Sequence, residues 1–212
     1  MEEVEFSQKC EMFLSRHIPD LDQCFIAGGL FPRLYHDLPI RDIDVYINSS
    51  TMFDAFVSDY KGVSEYQLTR DGEKFSKFLH KPTQIGIDLI NFHKPKTPDY
   101  TKNFDFSICQ GYYRNRIFQS FNPDTFRDIQ AKKLRFTDRF MYCDSDNNIL
   151  TRIKKYTDLG FEISSDDMNK IYHLLTGPNC KDVKLEHYTD SDRPTIWESI
   201  KDFFSSTSPP WL

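Results

Sequence analysis

Two stretches decide the fold: Cys24-Phe25-Ile26-Ala27-Gly28-Gly29 and, thirteen residues after Gly29, Asp42-Ile43-Asp44-Val45-Tyr46-Ile47-Asn48. The first is a short apolar strand running into Gly28-Gly29, followed by a helical reading over residues 30–38 with Asp37 at the turn. The second alternates acidic and apolar residues and is β-branched, so it reads as a strand. In a strand, residues i and i+2 share a face. Asp42 and Asp44 therefore stand side by side with Tyr46 beyond, and Ile43, Val45 and Ile47 face the core. Two carboxylates that close repel unless a cation lies between them. Hard oxygen ligands at this spacing suit Mg²⁺ (or Mn²⁺), which keeps waters and phosphate oxygens in its shell. Gly28-Gly29, after a strand and before a helix, lets backbone N–H groups approach a phosphate.

Gln84-Ile85-Gly86-Ile87-Asp88-Leu89-Ile90-Asn91-Phe92 is the clearest strand in the chain, and it carries an acid inside an apolar run. Such an acid is costly unless paired or metal-bound. If this strand neighbours the first acidic one, Asp88 completes a three-carboxylate cluster with Asp42 and Asp44. Such a cluster suits two Mg²⁺ ions and an in-line displacement at phosphorus. A lone Gly-Gly is usually a turn, a lone D-x-D a strand end, and Asp88 alone an edge-strand charge. The ordered combination is far more specific and points to a metal site.

Outward from these strands, Glu2 to His17 reads as an amphipathic helix with Phe6, Cys10, Phe13 and Leu14 on one face. Ser50 suits the N-cap of a helix to about Val57. Tyr66–Thr69 and Phe75–Leu79 flank the turn signal Asp71-Gly72. Residues 93–101 read as a loop, 105–121 as a mixed segment, Thr125–Ala131 as a short helix and Leu134–Phe136 as a last strand. From about residue 145 the pattern is helical. Ile149, Ile153 and Tyr156 precede a C-capping Gly160, Met168, Ile171 and Leu175 mark a second helix, and Pro194 opens a last one. The expected class is α+β, with a head over residues 1–142 and a short helical C-terminal region over 143–212.

The chain has 212 residues, a formal net charge of -5, 39% hydrophobic and 15% aromatic residues. That content excludes a disordered chain. The apolar runs are too short to span a bilayer, and the acidic start Met1-Glu2-Glu3 does not suit a leader peptide. Five cysteines without a C-x-x-C pair argue against a zinc knuckle or disulfide framework, so the expected compartment is a reducing cytoplasm. A pI near 5.7 argues against a general nucleic-acid coat protein.

Phe25-Ile26-Ala27-Gly28-Gly29 and Arg41-Asp42-Ile43-Asp44-Val45 resemble the nucleotidyltransferase superfamily that includes DNA polymerase β. The likeness is closest to the head domain of the bacterial CCA-adding and poly(A) polymerase family. Phe104-Asp105-Phe106-Ser107-Ile108 resembles that family's RRDFTIN motif. Asp128–Arg135 resembles its D-L-x-x-K-x-L-R segment, and Ile149–Phe161 its following helix. The resemblance implies a polymerase β-like palm sheet with flanking helices. It implies Asp42 and Asp44 as the catalytic metal pair, Asp88 as the third carboxylate, and Gly28 and Gly29 at the triphosphate. It implies Asp105 near the nucleotide, and Arg33 there too, one position later than the family's Arg, since Pro32 stands at that place. The family's two Arg before the motif Asp are Asn103 and Phe104 here, and its E-D-x-x-R motif is not recognisable near Asp144–Asn148. The helical remainder is short for a tRNA-gripping body.

Arg114 and Arg116, beside Tyr112 and Tyr113, are candidates to clamp a nucleotide or RNA end, or the residues of a solvated hairpin. Lys132, Lys133 and Arg135, and Arg152, Lys154 and Lys155, are phosphate-contacting or simply solvated. Cys109 reads as a buried structural thiol. His93 reads as surface, Trp197 and Phe203 as packing residues, and the acidic segment Asp182 to Asp192 as repelling RNA. The expected function is a transferase. It uses Mg²⁺ to move a nucleoside monophosphate from an NTP (ATP among them) to an RNA 3′ hydroxyl, such as that of tRNA, releasing pyrophosphate. The rival readings are the same transfer to a protein or small-molecule hydroxyl, and a non-catalytic nucleotide-binding module.

Overall fold

The computed structural model describes residues 1–91, 98–137 and 149–176. The chain divides into two compact units, Met1–Phe140 and Met141–Leu212.

The first unit is built on a seven-stranded mixed sheet. In chain order its elements are α1 (Glu3–Leu14), β1 (Cys24–Ala27), α2 (Leu30–Tyr35), β2 (Asp42–Ile47) and α3 (Ser50–Gly62). They continue with β3 (Tyr66–Arg70), β4 (Phe75–His80), β5 (Ile85–Asn91), β6 (Gly111–Arg114), β7 (Ile117–Ser120) and α4 (Thr125–Gln130). The strand order is β3-β4-β5-β2-β1-β6-β7. Only β2 and β5 run parallel, and the other neighbours are antiparallel. This is the α+β class that the sequence implies.

Alternation sorts the two faces. Ile43, Val45, Ile87, Leu89 and Phe78 are fully buried on one face. Tyr60 of α3 lies against Phe78 there, with ring centroids 5.2 Å apart. On the same face Phe6 of α1 and Phe31 of α2 both meet Phe118 edge-on at 5.0 Å. The three helices thus bury one side of the sheet, where clustered Phe and Ile side chains leave water. The opposite side carries Asp42, Asp44 and Asp88. Part of that side is covered by Tyr100, whose ring lies 6.1 Å from that of Tyr46.

α3 extends beyond the expected end at Val57, because Phe53, Phe56, Val57 and Tyr60 continue one buried stripe. Ser49, not Ser50, caps it by accepting a hydrogen bond from the Met52 amide. The mixed segment 105–121 contains the β6–β7 hairpin. Its turn residues Asn115 and Arg116 both have positive φ, 52° and 62°, as a tight two-residue hairpin turn requires. Leu134–Phe136 is not a strand. Only an isolated bridge joins Phe136 to Phe106.

In the second unit, α5 (Ile149–Thr157) buries Ile149, Ile153 and Tyr156. It ends at Gly160, with φ 82°, where the Phe161 amide returns to the Tyr156 carbonyl. α6 (Ser165–Thr176) starts at Ser164, whose hydroxyl accepts from the Asp167 amide at 3.1 Å. His93, Cys143, Cys180, the Asp144–Asn148 stretch, the acidic segment from Asp182, the helix opened by Pro194, Trp197 and Phe203 lie outside the described residues. Among the described residues, no helix is long and apolar enough to cross a membrane.

Candidate active site

The strand register builds the site. Asp44 of β2 stands opposite Asp88 of β5 on one side and Ala27 of β1 on the other. Asp88 stands opposite Lys77 of β4. Lys77, Asp88, Asp44, Ala27 and Tyr112 therefore form one row across five strands, on one face. Asp42 shares that face, opposite Gly86. Asp42, Asp44 and Asp88 are each half-buried.

β1 ends beside this row. Gly28 has φ +92°, a conformation that L side chains rarely adopt. A Cβ placed there would lie 2.6 Å from Asp44 Oδ2. The bare backbone of Gly28 thus lies directly against the second carboxylate, in the gap between strand and helix where a phosphate can approach.

Asp88 stands beside Asp44 in the strand register, and its oxygens face a cation from the chain itself. Lys77 Nζ hydrogen-bonds Oδ2 at 3.1 Å and lies 2.9 Å from Oδ1. Burial pushes the Asp88 carboxyl above its ordinary range, Lys77 draws it back, and the charge of Asp42 adds to the rise. Among the described residues, no three His, Cys, Asp or Glu side chains are gathered closely enough to form a metal-binding group. The donors that suit a divalent cation are the adjacent Asp42 and Asp44, hard oxygen ligands beside a glycine cradle that a Cβ would fill. Sequence reading missed Lys77. It lies mid-strand in Phe75–Leu79, but only the pairing of β4 with β5 brings it to Asp88.

The other candidates divide. Arg33 is turned inward, 4% exposed, and donates from Nη1 to the Pro39 carbonyl at 2.6 Å. It braces the turn that leads into β2. Asp105 is 3% exposed, and its main-chain carbonyl accepts from the Thr137 amide at 2.9 Å. Arg114 shares the carboxylate face two residues beyond Tyr112, on the side of Tyr46 rather than of Gly28. Arg116 pairs with Glu11 and lies 3.7 Å from Asp22, so it holds the hairpin to the N-terminal elements. Arg135 pairs with Asp128 at 2.8 and 3.1 Å, and Ser107 donates to the same carboxylate at 2.7 Å. Lys154 pairs with Asp158 at 3.0 Å. Cys10, Cys24 and Cys109 are buried and form no disulfide among the described residues. Burial pushes Cys10 and Cys24 up to about 12, which leaves them inert.

A profile of the family described as "Gabija anti-defense 2 family protein" matches residues 2–132, which include every element of the carboxylate row. The chain belongs to the Gabija anti-defense 2 family. A relative, Gabija anti-defense 2 of Bacillus phage SPbetaL7, is 24% identical over 172 residues, covering 80% of this chain and 40% of the relative. The chain thus spans well under half of that relative's length.

Solved structures share the architecture. A CCA-adding enzyme in complex with ATP superposes with TM-score 0.55 at 14% identity, over 83% of this chain and 43% of that enzyme. The Thermotoga maritima CCA-adding enzyme complexed with tRNA gives 0.51 at 15%, over 76% and 38%. A tRNA nucleotidyltransferase with a primer tRNA and an ATP analogue gives 0.52 at 12%, over 82% and 52%. At these identities the likeness is one of fold. This Gabija anti-defense 2 family chain carries the nucleotidyltransferase fold of the CCA-adding head.

Proposed function

We propose that the chain is a metal-dependent nucleotidyltransferase that moves a nucleoside monophosphate from an NTP to an acceptor hydroxyl. The acceptor hydroxyl gives up its proton to water, a bond forms from its oxygen to the α-phosphorus, the bond to the bridging oxygen breaks, and pyrophosphate leaves. The observation that carries this reading is the contact between Gly28 and Asp44, with Asp42 two residues away on the same face. Gly28 and Gly29 receive the triphosphate, and Asp42 and Asp44 hold a divalent cation such as Mg²⁺. That ion, when bound, supplies positive charge at the phosphorus undergoing displacement. Arg114 and Asp105 stand as nucleotide-side residues, Arg33 supports the turn behind the pair, and Asp88 holds the far side of the row.

The first acceptor reading is an RNA 3′ hydroxyl, supported by the fold shared with tRNA-acting enzymes. Membership in an anti-defense family favours a second: a hydroxyl on a protein of the Gabija defence. Incubation with each labelled NTP, Mg²⁺, total RNA and a lysate carrying that defence separates them. Label in RNA supports the first acceptor, and label in protein the second. Absence of label in both, with the chain folded, overturns the enzyme reading.

A further inference from the structure

Lys77 places a cation of the chain itself on the carboxylate row. Its ammonium touches both oxygens of Asp88, at 2.9 and 3.1 Å. Its stem crosses Gly86. A Cβ at Gly86 would lie 3.3 Å from Lys77 Cε and 3.6 Å from Nζ. Gly86 is the residue opposite Asp42. The ammonium therefore reaches from its own register position toward the space shared by Asp88 and Asp42, along a path that a side chain at 86 would crowd. The Asp88 side chain is 14% exposed, so its charge is met from within the sheet rather than by water.

An in-line displacement puts the attacking hydroxyl and the leaving pyrophosphate on opposite sides of the phosphorus. With the triphosphate on Gly28-Gly29 at the β1 side, the acceptor arrives across β5, over Asp88 and Lys77. A divalent ion bridging Asp88 to Asp42 or Asp44 on that side would have to displace an ammonium that hydrogen-bonds Oδ2 and stands 2.9 Å from Oδ1, or share the carboxylate with it against charge repulsion.

We propose, building on the nucleotidyltransferase reading above, that the Lys77 ammonium takes the place of a second divalent cation on the acceptor side. The site then binds a single divalent ion, on Asp42 and Asp44, together with the nucleotide. Lys77 is a positioning residue that fixes the Asp88 carboxylate in place beside the acceptor.

The test is electron paramagnetic resonance of the full chain with Mn²⁺ and α,β-methylene-ATP. Two Mn²⁺ ions bridged by one carboxylate row give a dipolar-coupled spectrum, and a single ion does not. Wild type is expected to show a single uncoupled Mn²⁺. Lys77→Met, which keeps the stem and removes the charge, is expected to gain a second, coupled ion on the freed Asp88. The double variant Lys77→Met with Asp88→Asn is expected to return to one uncoupled ion. A coupled pair in wild type overturns the proposal, as does an uncoupled spectrum in a folded Lys77→Met chain. If Lys77→Met does not fold, the wild-type spectrum and the double variant, which leaves no buried unpaired charge, decide. Asp44→Asn separates the two readings. If it binds Mn²⁺ and nucleotide like wild type, or wild type binds no Mn²⁺, the nucleotidyltransferase site itself is misplaced and this inference falls with it.

Discussion

Two acid clusters in the first unit look alike in sequence and behave differently in space. Asp128 is 1% exposed and its carboxylate takes the Ser107 hydroxyl and a two-point grip from Arg135. Asp42, Asp44 and Asp88 stand half-buried on an open sheet face, with Lys77 on the last of them. A sealed acid with its oxygens filled by protein donors holds structure, because breaking it strands a charge out of water. A row of part-exposed acids sets negative charges side by side, which favours an incoming cation. The resemblance in sequence covers both clusters. Solvent access and partners separate the sealed cluster from the part-exposed row.

The comparison can be broken at either end. Asp128→Ala should cost about 1–3 kcal/mol of stability, since the buried Ser107 hydroxyl loses its acceptor while Arg135, 31% exposed, keeps Asp124 at 3.7 Å. Chemical denaturation measures it, and a loss under about 1 kcal/mol would show the cluster to be unimportant to the fold. Asp44→Asn should do the reverse. Nucleotidyl transfer should fall more than about a hundred-fold, while stability stays within about 0.5 kcal/mol, because one of several adjacent negative charges is removed. Activity that survives this change would move the site elsewhere.

Gly28→Ala sharpens the contrast from outside the acids. The left-handed backbone costs a Cβ-bearing residue about 1–2 kcal/mol, and the new methyl must displace Asp44 Oδ2 from 2.6 Å. An ångström of misplacement at a reacting centre is worth about a hundred-fold in rate. Transfer should therefore drop far more than the thermal transition does, and parallel losses would mean that Gly28 serves folding alone.

The smallest effect lies away from both clusters. His17 is 6% exposed, and burial lowers its pKa from 6.5, with the Phe13 carbonyl opposing and His80 and Arg16 adding to the fall. A lowered pKa in the folded chain means that the unfolded chain binds the extra proton first. Stability present above pH 6.5 should be lost as pH falls through that value toward the folded pKa. His17→Gln should flatten this part of the melting-versus-pH curve, and an unchanged slope would place the dependence on another group.

Much of the fold is legible in local pattern. The β1 strand, Gly28-Gly29, the β2 acids and the apolar run of β5 can be read off because alternation and glycine placement are properties of a few neighbouring residues. The β6–β7 hairpin is harder to read, because Asn115-Arg116 replaces the usual glycine-bearing turn and Arg116 is held in its left-handed conformation by the distant Glu11 and Asp22. Leu134–Phe136 has strand composition, but among the described residues it is joined only by an isolated bridge from Phe136 to Phe106. Arg33 looks available in sequence and is buried in space, because α2 turns it toward the Pro39 carbonyl.

Local order alone puts Asp42 and Asp44 on one face behind a glycine pair, since period two and the absence of a Cβ are properties of neighbouring residues. Which acid stands next to them, and what that acid touches, comes from long-range strand pairing. The parallel pairing of β2 with β5 brings Asp88 beside Asp44, and the antiparallel pairing of β4 brings Lys77 to Asp88. Strand register is set by long-range burial of the opposite face, where Ile43, Ile87 and Phe78 align under α3. A slip of one residue would send Lys77 into that core and leave Asp88 unpaired.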